Sequence, residues 1–197
     1  MTSNEAEKTI GSVSANTADA PLQSIIETPL TDSLVNEIFH HQNNDGSFSA
    51  TENFGKLFNV DFEQIKKDLN DKGLNSSASD EILRLIATAS ILFYFLYHSQ
   101  KTKFPVDIDA IKQFVSKARS ELEGFSMKDD PIMQTYIDKG ELAVKFVIDT
   151  RDKYGNICKD LNLAQPTWES YIQHLMALDK QDQNKLKNYL HSMIDVK

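Results

Sequence analysis

The sequence predicts an all-α protein, a compact multi-helix bundle behind a disordered N-terminal tail. Three observations predict it. Apolar residues recur three and four apart in one segment after another, and no segment alternates as a strand would. The stretch Ile82 to Tyr97 is apolar almost all round, so neighbours must cover it on several sides. Caps and breakers, among them Thr31, Asp61, Gly73, Gly124 and Pro166, fall between the periodic segments. Seven to nine helices fit the 197 residues, with no repeat of fixed period.

Residues 1–20 are Ser, Thr, Asn, Ala and acid, too polar to offset the entropy of ordering, and read as a disordered acidic tail. Leu22, Ile25 and Ile26 fit a short helical turn that docks onto the domain. The first helix is expected from Thr31, its N-cap, to His41, with Leu34, Val35, Ile38 and Phe39 in one stripe. A polar turn, Gln42 to Phe48, follows, and Gly46 ends it. A short helix from Ala50 to Phe58 carries Phe54, Leu57 and Phe58. Asp61 caps the next, with Gln64 in the reciprocal capping-box position and Phe62, Ile65 and Leu69 facing inward. Asn70 to Ser79 reads as a polar loop with Gly73 as the stop signal.

Ser79 or Asp80 starts the central helix. Its Ala87-Thr88-Ala89-Ser90 patch allows another helix to approach closely. Pro105 breaks the chain, and Asp107 or Asp109 enters an amphipathic helix with Ile108, Ile111, Phe114, Val115, Ala118 and Leu122, ended by Gly124. Asp129 to Leu161 is a second long helical stretch, with Pro131 in its first turn and a break expected near Lys139-Gly140. Pro166-Thr167 opens a helix with Trp168, Tyr171, Ile172 and Leu175. Asp179 caps the last, with Leu186, Tyr189, Leu190, Met193 and Ile194. The expected division is a tail at 1–20, a helical core domain at 21–124 and a C-terminal helical extension at 125–197.

The formal net charge is −8, and residues 1–60 hold eight acids against two bases. No Lys/Arg cluster marks a phosphate-binding face, which argues against nucleic acid as a partner. The most apolar segment, Leu85 to Tyr97, is too short for the ~20 residues of a membrane span. No secretory signal is visible in Met1 to Ala20. The one cysteine, Cys158, sits on an apolar stripe with Tyr154, Ile157 and Leu161 and reads as a buried, inert thiol. A cytoplasmic setting is expected.

The candidate chemistry is sparse. Gly46 in the sixth place of a calcium loop puts His41, Asn43, Asp45, Ser47 and Glu52 at ligand positions, and Phe48 at the hydrophobic eighth. His41 stands where a carboxylate belongs, and its nitrogen suits hard Ca²⁺ poorly. The competing reading is a loop whose Asn and Asp satisfy its own backbone. His40 and His41 are adjacent, not i, i+4, and His98, His174 and His191 are isolated, so zinc is not expected. Asp107 with Asp109, and Asp129 with Asp130, sit at helix starts, where negative charge favours the helix dipole. Ser76-Ser77-Ala78-Ser79 reads as loop and cap, since no nucleophile elbow surrounds a serine. Phe93, Tyr94, Phe95, Tyr97, Trp168 and Tyr171 read as core first. Tyr94 or Tyr97, and Trp168 or Tyr171, remain candidates for a partner. No catalytic, cofactor-binding or metal-binding residue is assigned.

One resemblance narrows the reading. It rests on three motifs: Phe39-x-x-Gln42-x-x-Asp45-Gly46-Ser47-Phe48; Phe54-Gly-Lys-Leu57-Phe58-Asn-Val60; and Asp80-Glu-Ile82 leading to Ala87-Thr88-Ala89-Ser-Ile91-Leu92. Together they resemble the helical C-terminal region of intracellular VIT and von Willebrand factor A domain-containing proteins, among them the vault poly(ADP-ribose) polymerase. That region reads L-Q-x-x-D-G-S-aromatic, a helix ending in L-L-G, then a buried W-A-T-A-L-A helix. Ile111-x-x-Phe114-Val-x-x-Ala118-Arg119 is similar to its last helix. The resemblance covers about residues 34–122; Ile82 or Leu83 stands where the family tends to place Trp. It carries over no catalytic residue, because the A, VIT and polymerase domains are absent from this sequence. It implies a helical module that docks within a larger assembly.

The function expected is therefore a non-catalytic protein–protein interaction module, an adaptor or complex subunit with protein partners. Two alternatives stay open: a calcium-responsive helical protein using the loop at 41–52, and a helical enzyme or small-ligand binder whose site is assembled from distant residues. Partner and oligomeric state are not legible.

Overall fold

The computed structural model describes residues 29–100, 104, 106–124, 130–163 and 165–178. The tail at 1–20, the docking turn at Leu22 to Ile26 and the helix expected after Asp179 lie outside the described residues. Among those described there are eight helices and no strand: α1 Asp32–His40, α2 Glu52–Phe58, α3 Phe62–Asp71, α4 Ser76–Gln100, α5 Ile108–Gly124, α6 Pro131–Lys153, α7 Ile157–Asp160 and α8 Trp168–Leu175.

Side-chain caps fix most of the helix starts. The Thr31 hydroxyl accepts from the Leu34 N–H, Thr51 from Phe54 and Asp61 from Gln64. Asp130 accepts from both Ile132 and Met133, with Pro131 filling the first turn of α6. Thr167 and Ser170 close a full capping box on α8. Each such cap contributes about 0.5–2 kcal/mol.

Four local expectations change. The Gln64 amide donates to Asp68 one turn on, so the box at Asp61 is half-made. α4 begins at Ser76, because the Asn75 side chain accepts from the Ala78 N–H and caps it there. α6 runs unbroken through Lys139-Gly140; Gly140 is buried against Val115, and the chain instead turns after Lys153. Leu57 is 37% exposed, since α2 points Phe54 and Phe58 inward and leaves Leu57 at its edge.

α4 is the axis. α2, α3, α5, α6 and α8 all pack on it, and α5 also packs on α6. Ile82, Leu85, Ile86, Ile91, Phe93 and Tyr94 have no exposed surface. Burying an aliphatic side chain of this size contributes about 1.5–3 kcal/mol. At 25 residues, α4 is also long and apolar enough to cross a membrane by length and composition, further than the thirteen-residue run suggests. Here most of its surface is covered by other helices. The Ala87–Ser90 patch lies fully inside.

Two buried groups pin the C-terminal helices to this axis. The Trp168 indole N–H donates to the Tyr154 carbonyl at 3.0 Å. Gln173 is fully buried and exchanges two hydrogen bonds with the Val106 backbone, fixing the entry of α5 against α8. Around the edge, Glu81 pairs with Lys153, and Arg151 with Glu169.

Candidate functional site

The loop between α1 and α2 is the first candidate, and every polar side chain of its motif has a structural partner. The backbone closes on itself: Asn43 N–H donates to the Ser47 carbonyl at 2.8 Å, and Gly46 N–H to that of Asn43 at 3.0 Å. Asp45 accepts from both the N–H and the hydroxyl of Ser47, at 3.0 and 2.6 Å. Its second oxygen pairs with Arg84 at 2.8 Å. Burial works to raise the Asp45 carboxyl, but the bonds from Ser47 and Arg84 outweigh it and hold it below the usual carboxylate range. Ser47 is fully buried, and its oxygen also accepts from Asn43 and Arg84.

The loop is also tied to distant helices. Gln42 donates to the Gly46 carbonyl and to the Lys139 carbonyl on α6, at 3.0 and 2.8 Å. Lys139 returns the contact, its ammonium donating to the Phe39 carbonyl at the end of α1 at 2.6 Å. The Phe48 N–H donates to the buried Thr88 hydroxyl on α4, which itself donates to the Arg84 carbonyl. Gly46 has a φ of +86° and lies against α6; a Cβ there would stand 2.4 Å from the Leu142 carbonyl oxygen. The motif Gln-x-x-Asp-Gly-Ser-Phe is thus a clamp joining α1, α4 and α6.

These contacts occupy the positions that a calcium loop would use. Asn43, Asp45 and Ser47 spend their side chains on each other, on Ser49 and on Arg84. Glu52 pairs with Lys56 one turn along α2, which lowers its carboxyl. Among the described residues no three His, Cys, Asp or Glu side chains form a metal-sized group.

The other candidates resolve as structure. Asp107 and Asp130 cap α5 and α6, while Asp109 sits in the first turn of α5; Asp129 lies outside the described residues. Ser79 is buried and donates to Asn70. His40 and His41 meet edge-on, and His98 packs against Tyr94; His191 lies outside the described residues. Cys158 is buried, and burial, helped by the Glu169 charge, pushes its thiol up to about 12. Tyr94 and Trp168 are core residues, whereas Tyr97 and Tyr171 are half-buried.

What sequence reasoning missed is an apolar cleft of about 240 Å³ where α1, the C-terminal end of α4, α5 and α6 meet. Val35, Leu92, Phe114, Met133 and Ile137 contribute to its walls. Phe39 is also in its lining, stacked on Tyr136 at 5.7 Å and tilted against Phe95 at 5.4 Å. Leu30 and Asp32 also line it, and Asp32 is the one carboxylate among its described lining residues. Met133 is 38% exposed, and Ile132 beside it is 61% exposed. Its size falls below the ~300–1,000 Å³ of small-molecule pockets, and it lacks their convergent polar groups. It suits a few apolar side chains. A second groove, between α1 and α2, is more polar, with Glu37, His41, Thr51 and Asn53 in its lining. No local sequence signal announces the cleft, since four separate helices supply it.

A family model described as the PARP4 MVP-ID C-terminal domain matches residues 37–193. The match runs well past residue 122 and takes in α6, α7 and α8. No curated protein and no solved structure matches the chain.

Proposed function

The chain belongs to the PARP4 MVP-ID C-terminal domain family, and on that premise we propose that it is a non-catalytic interaction module of a larger intracellular assembly. The family's description names an MVP-interaction domain, so the proposed partner is a vault protein and the proposed setting the cytoplasm. The helical parts at 21–124 and 125–197 act together as the docking body, with 1–20 as a tail.

The observation that carries the reading is the open apolar cleft with Met133 and Ile132 beside it. Apolar side chains left in water at the mouth of a packed cleft are the usual form of an anchor site for a partner's side chains. Among the described residues, Asp45, Ser47 and Asp130 have hydrogen-bond partners within the fold, which supports a non-catalytic reading. Calorimetric titration of the chain with purified major vault protein tests the reading. Saturable binding is expected, weakened about tenfold or more by Met133→Glu, which places a charge where an apolar side chain should sit. Absence of binding would refute the partner; equal affinity for Met133→Glu would refute the surface.

A further inference from the structure

We propose that the Asp45–Gly46 peptide bond is a latent site of isoaspartate formation, which the clamp keeps closed and which, once converted, cannot re-form the clamp. The proposal concerns the loop and not the cleft, and its test contains no partner.

The reaction is a rearrangement of the chain itself. The Gly46 nitrogen attacks the side-chain carboxyl carbon of Asp45. A carbon–nitrogen bond forms, the bond from that carbon to one carboxyl oxygen breaks, and the oxygen leaves as water with the amide and carboxyl protons. Water then adds to the five-membered imide ring. Addition at the main-chain carbonyl breaks its bond to the Gly46 nitrogen, which regains a proton, and the chain now runs through the Asp45 side chain. Nothing is oxidised or reduced, and water is the only other reactant.

Glycine after aspartate is the most reactive pairing, because no side chain shields the attacking nitrogen. Asp45–Gly46 is the one Asp–Gly pair in the sequence, and no Asn–Gly pair occurs. The fold cannot exchange this glycine for a safer residue. Its φ is +86°, and a Cβ would stand 2.4 Å from the Leu142 carbonyl oxygen. The residue that packing demands is thus the residue that makes the bond reactive.

The structure restrains both reacting groups. The Gly46 N–H, which must give up its proton, donates to the Asn43 carbonyl at 3.0 Å. One Asp45 oxygen accepts from the Ser47 N–H and hydroxyl, and the other pairs with Arg84. Burial works against ionisation of this carboxyl, but the bonds from Ser47 and Arg84 outweigh it. An ionised carboxylate offers the attacking nitrogen no ready leaving group. The Asp45 side chain is 49% exposed, so water reaches it and the restraint is orientation and charge, not exclusion of solvent.

Conversion is one-way for the fold. Isoaspartate lengthens the main chain by one carbon, at a point where a single added carbon already meets Leu142. It also replaces the carboxylate that Ser47 and Arg84 hold with one attached directly to Cα, which reaches less far. A loop that has opened and reacted therefore stays open.

The test follows isoaspartate at residue 45 in the chain of residues 1–197 kept at neutral pH, by peptide mapping with electron-transfer fragmentation, which distinguishes the isomers. Conversion in the native chain is expected to be about tenfold or more slower than in the same chain unfolded in guanidinium, since only the open fraction reacts. Arg84→Ala and Ser47→Ala, checked for fold by far-ultraviolet dichroism, are each expected to raise the native rate severalfold. Thr167→Ala, which removes the α8 cap and leaves the loop untouched, is expected to leave the rate unchanged. Equal rates in the native and unfolded chains overturn the proposal, as do unchanged rates in both loop variants. So does a rise with Thr167→Ala as large as that with Arg84→Ala, since global unfolding and not the clamp would then be the brake. The isoaspartate form, separated by chromatography, is expected to unfold at a lower urea concentration than the parent chain, and a matching midpoint overturns the one-way step.

Discussion

Gly46→Ala tests the clamp at its tightest point. The substitution adds one methyl group, and two separate costs follow. The first is backbone: a φ of +86° is a region that side-chain-bearing residues rarely adopt, at about 1–3 kcal/mol. The second is steric. The new Cβ would stand 2.4 Å from the Leu142 carbonyl oxygen and 2.5 Å from its carbon, and neither is the end of a flexible side chain. α6 must move, and overpacking of this kind costs about 1–3 kcal/mol. Gly73→Ala separates the two effects. Gly73 has a φ of +94° but nothing within 4 Å of an added Cβ, so it carries the backbone cost alone. Urea unfolding of both variants, followed by the buried Trp168, should place Gly46→Ala about 1–3 kcal/mol below Gly73→Ala. In thermal melts the same gap is roughly 2–12 °C for a chain of this length. Equal midpoints for the two variants would refute the close approach of α6 to the loop.

Three further outcomes are expected. Thr88→Val deprives the buried Phe48 N–H of its acceptor and should cost about 1–3 kcal/mol, while Thr88→Ser keeps the hydroxyl and loses less; matching urea midpoints would count against the bond. Cys158 should not react with a thiol reagent at pH 8 in the native chain and should react fully in denaturant, because burial pushes the thiol up to about 12. On acidification, Asp45 and Glu81 should cost stability. Asp45 is lowered by Ser47 and Arg84 against the opposing effect of burial, and Glu81 chiefly by Lys153 and also by Tyr154. A carboxyl lowered by folding contributes stability above its unfolded pKa of about 4 and loses it as pH falls through the lower folded value. Stability below pH ~4 should therefore decline less steeply in Asp45→Asn/Glu81→Gln than in the parent chain, as read by urea midpoints across pH.

The all-α class and most helix starts were legible because their causes are local. Thr31, Asp61 and Thr167 cap helices through bonds spanning three residues, and a few residues of sequence contain them. The buried course of α4 was legible from its all-round apolar surface. Errors arose where a distant group decides. Gly140 reads as a helix break in isolation, but Val115 packs against it and the helix continues. Gly46 reads as a turn glycine, which it is, while the backbone of Leu142 that demands it comes from a remote segment. Arg84 gave no signal at all: its partners Asp45 and Ser47 lie across the fold, and its guanidinium sits over Phe146 at 5.3 Å. The cleft was invisible for the same reason, because each of its walls is only an ordinary amphipathic stripe until four of them meet.

The Gln42–Lys139 and Lys139–Phe39 bonds join residues 97 and 100 positions apart. That separation sets a timetable during synthesis. A ribosome adding about 5–20 residues per second leaves the end of α1 waiting roughly 5–20 s before its mate on α6 has even been polymerised. Throughout that interval the oily flank of α4 that α6 will cover stays naked, and holdase chaperones have their opening. A nascent chain stalled before residue 131 should be a client for such helpers, and one stalled well after residue 153 should be released.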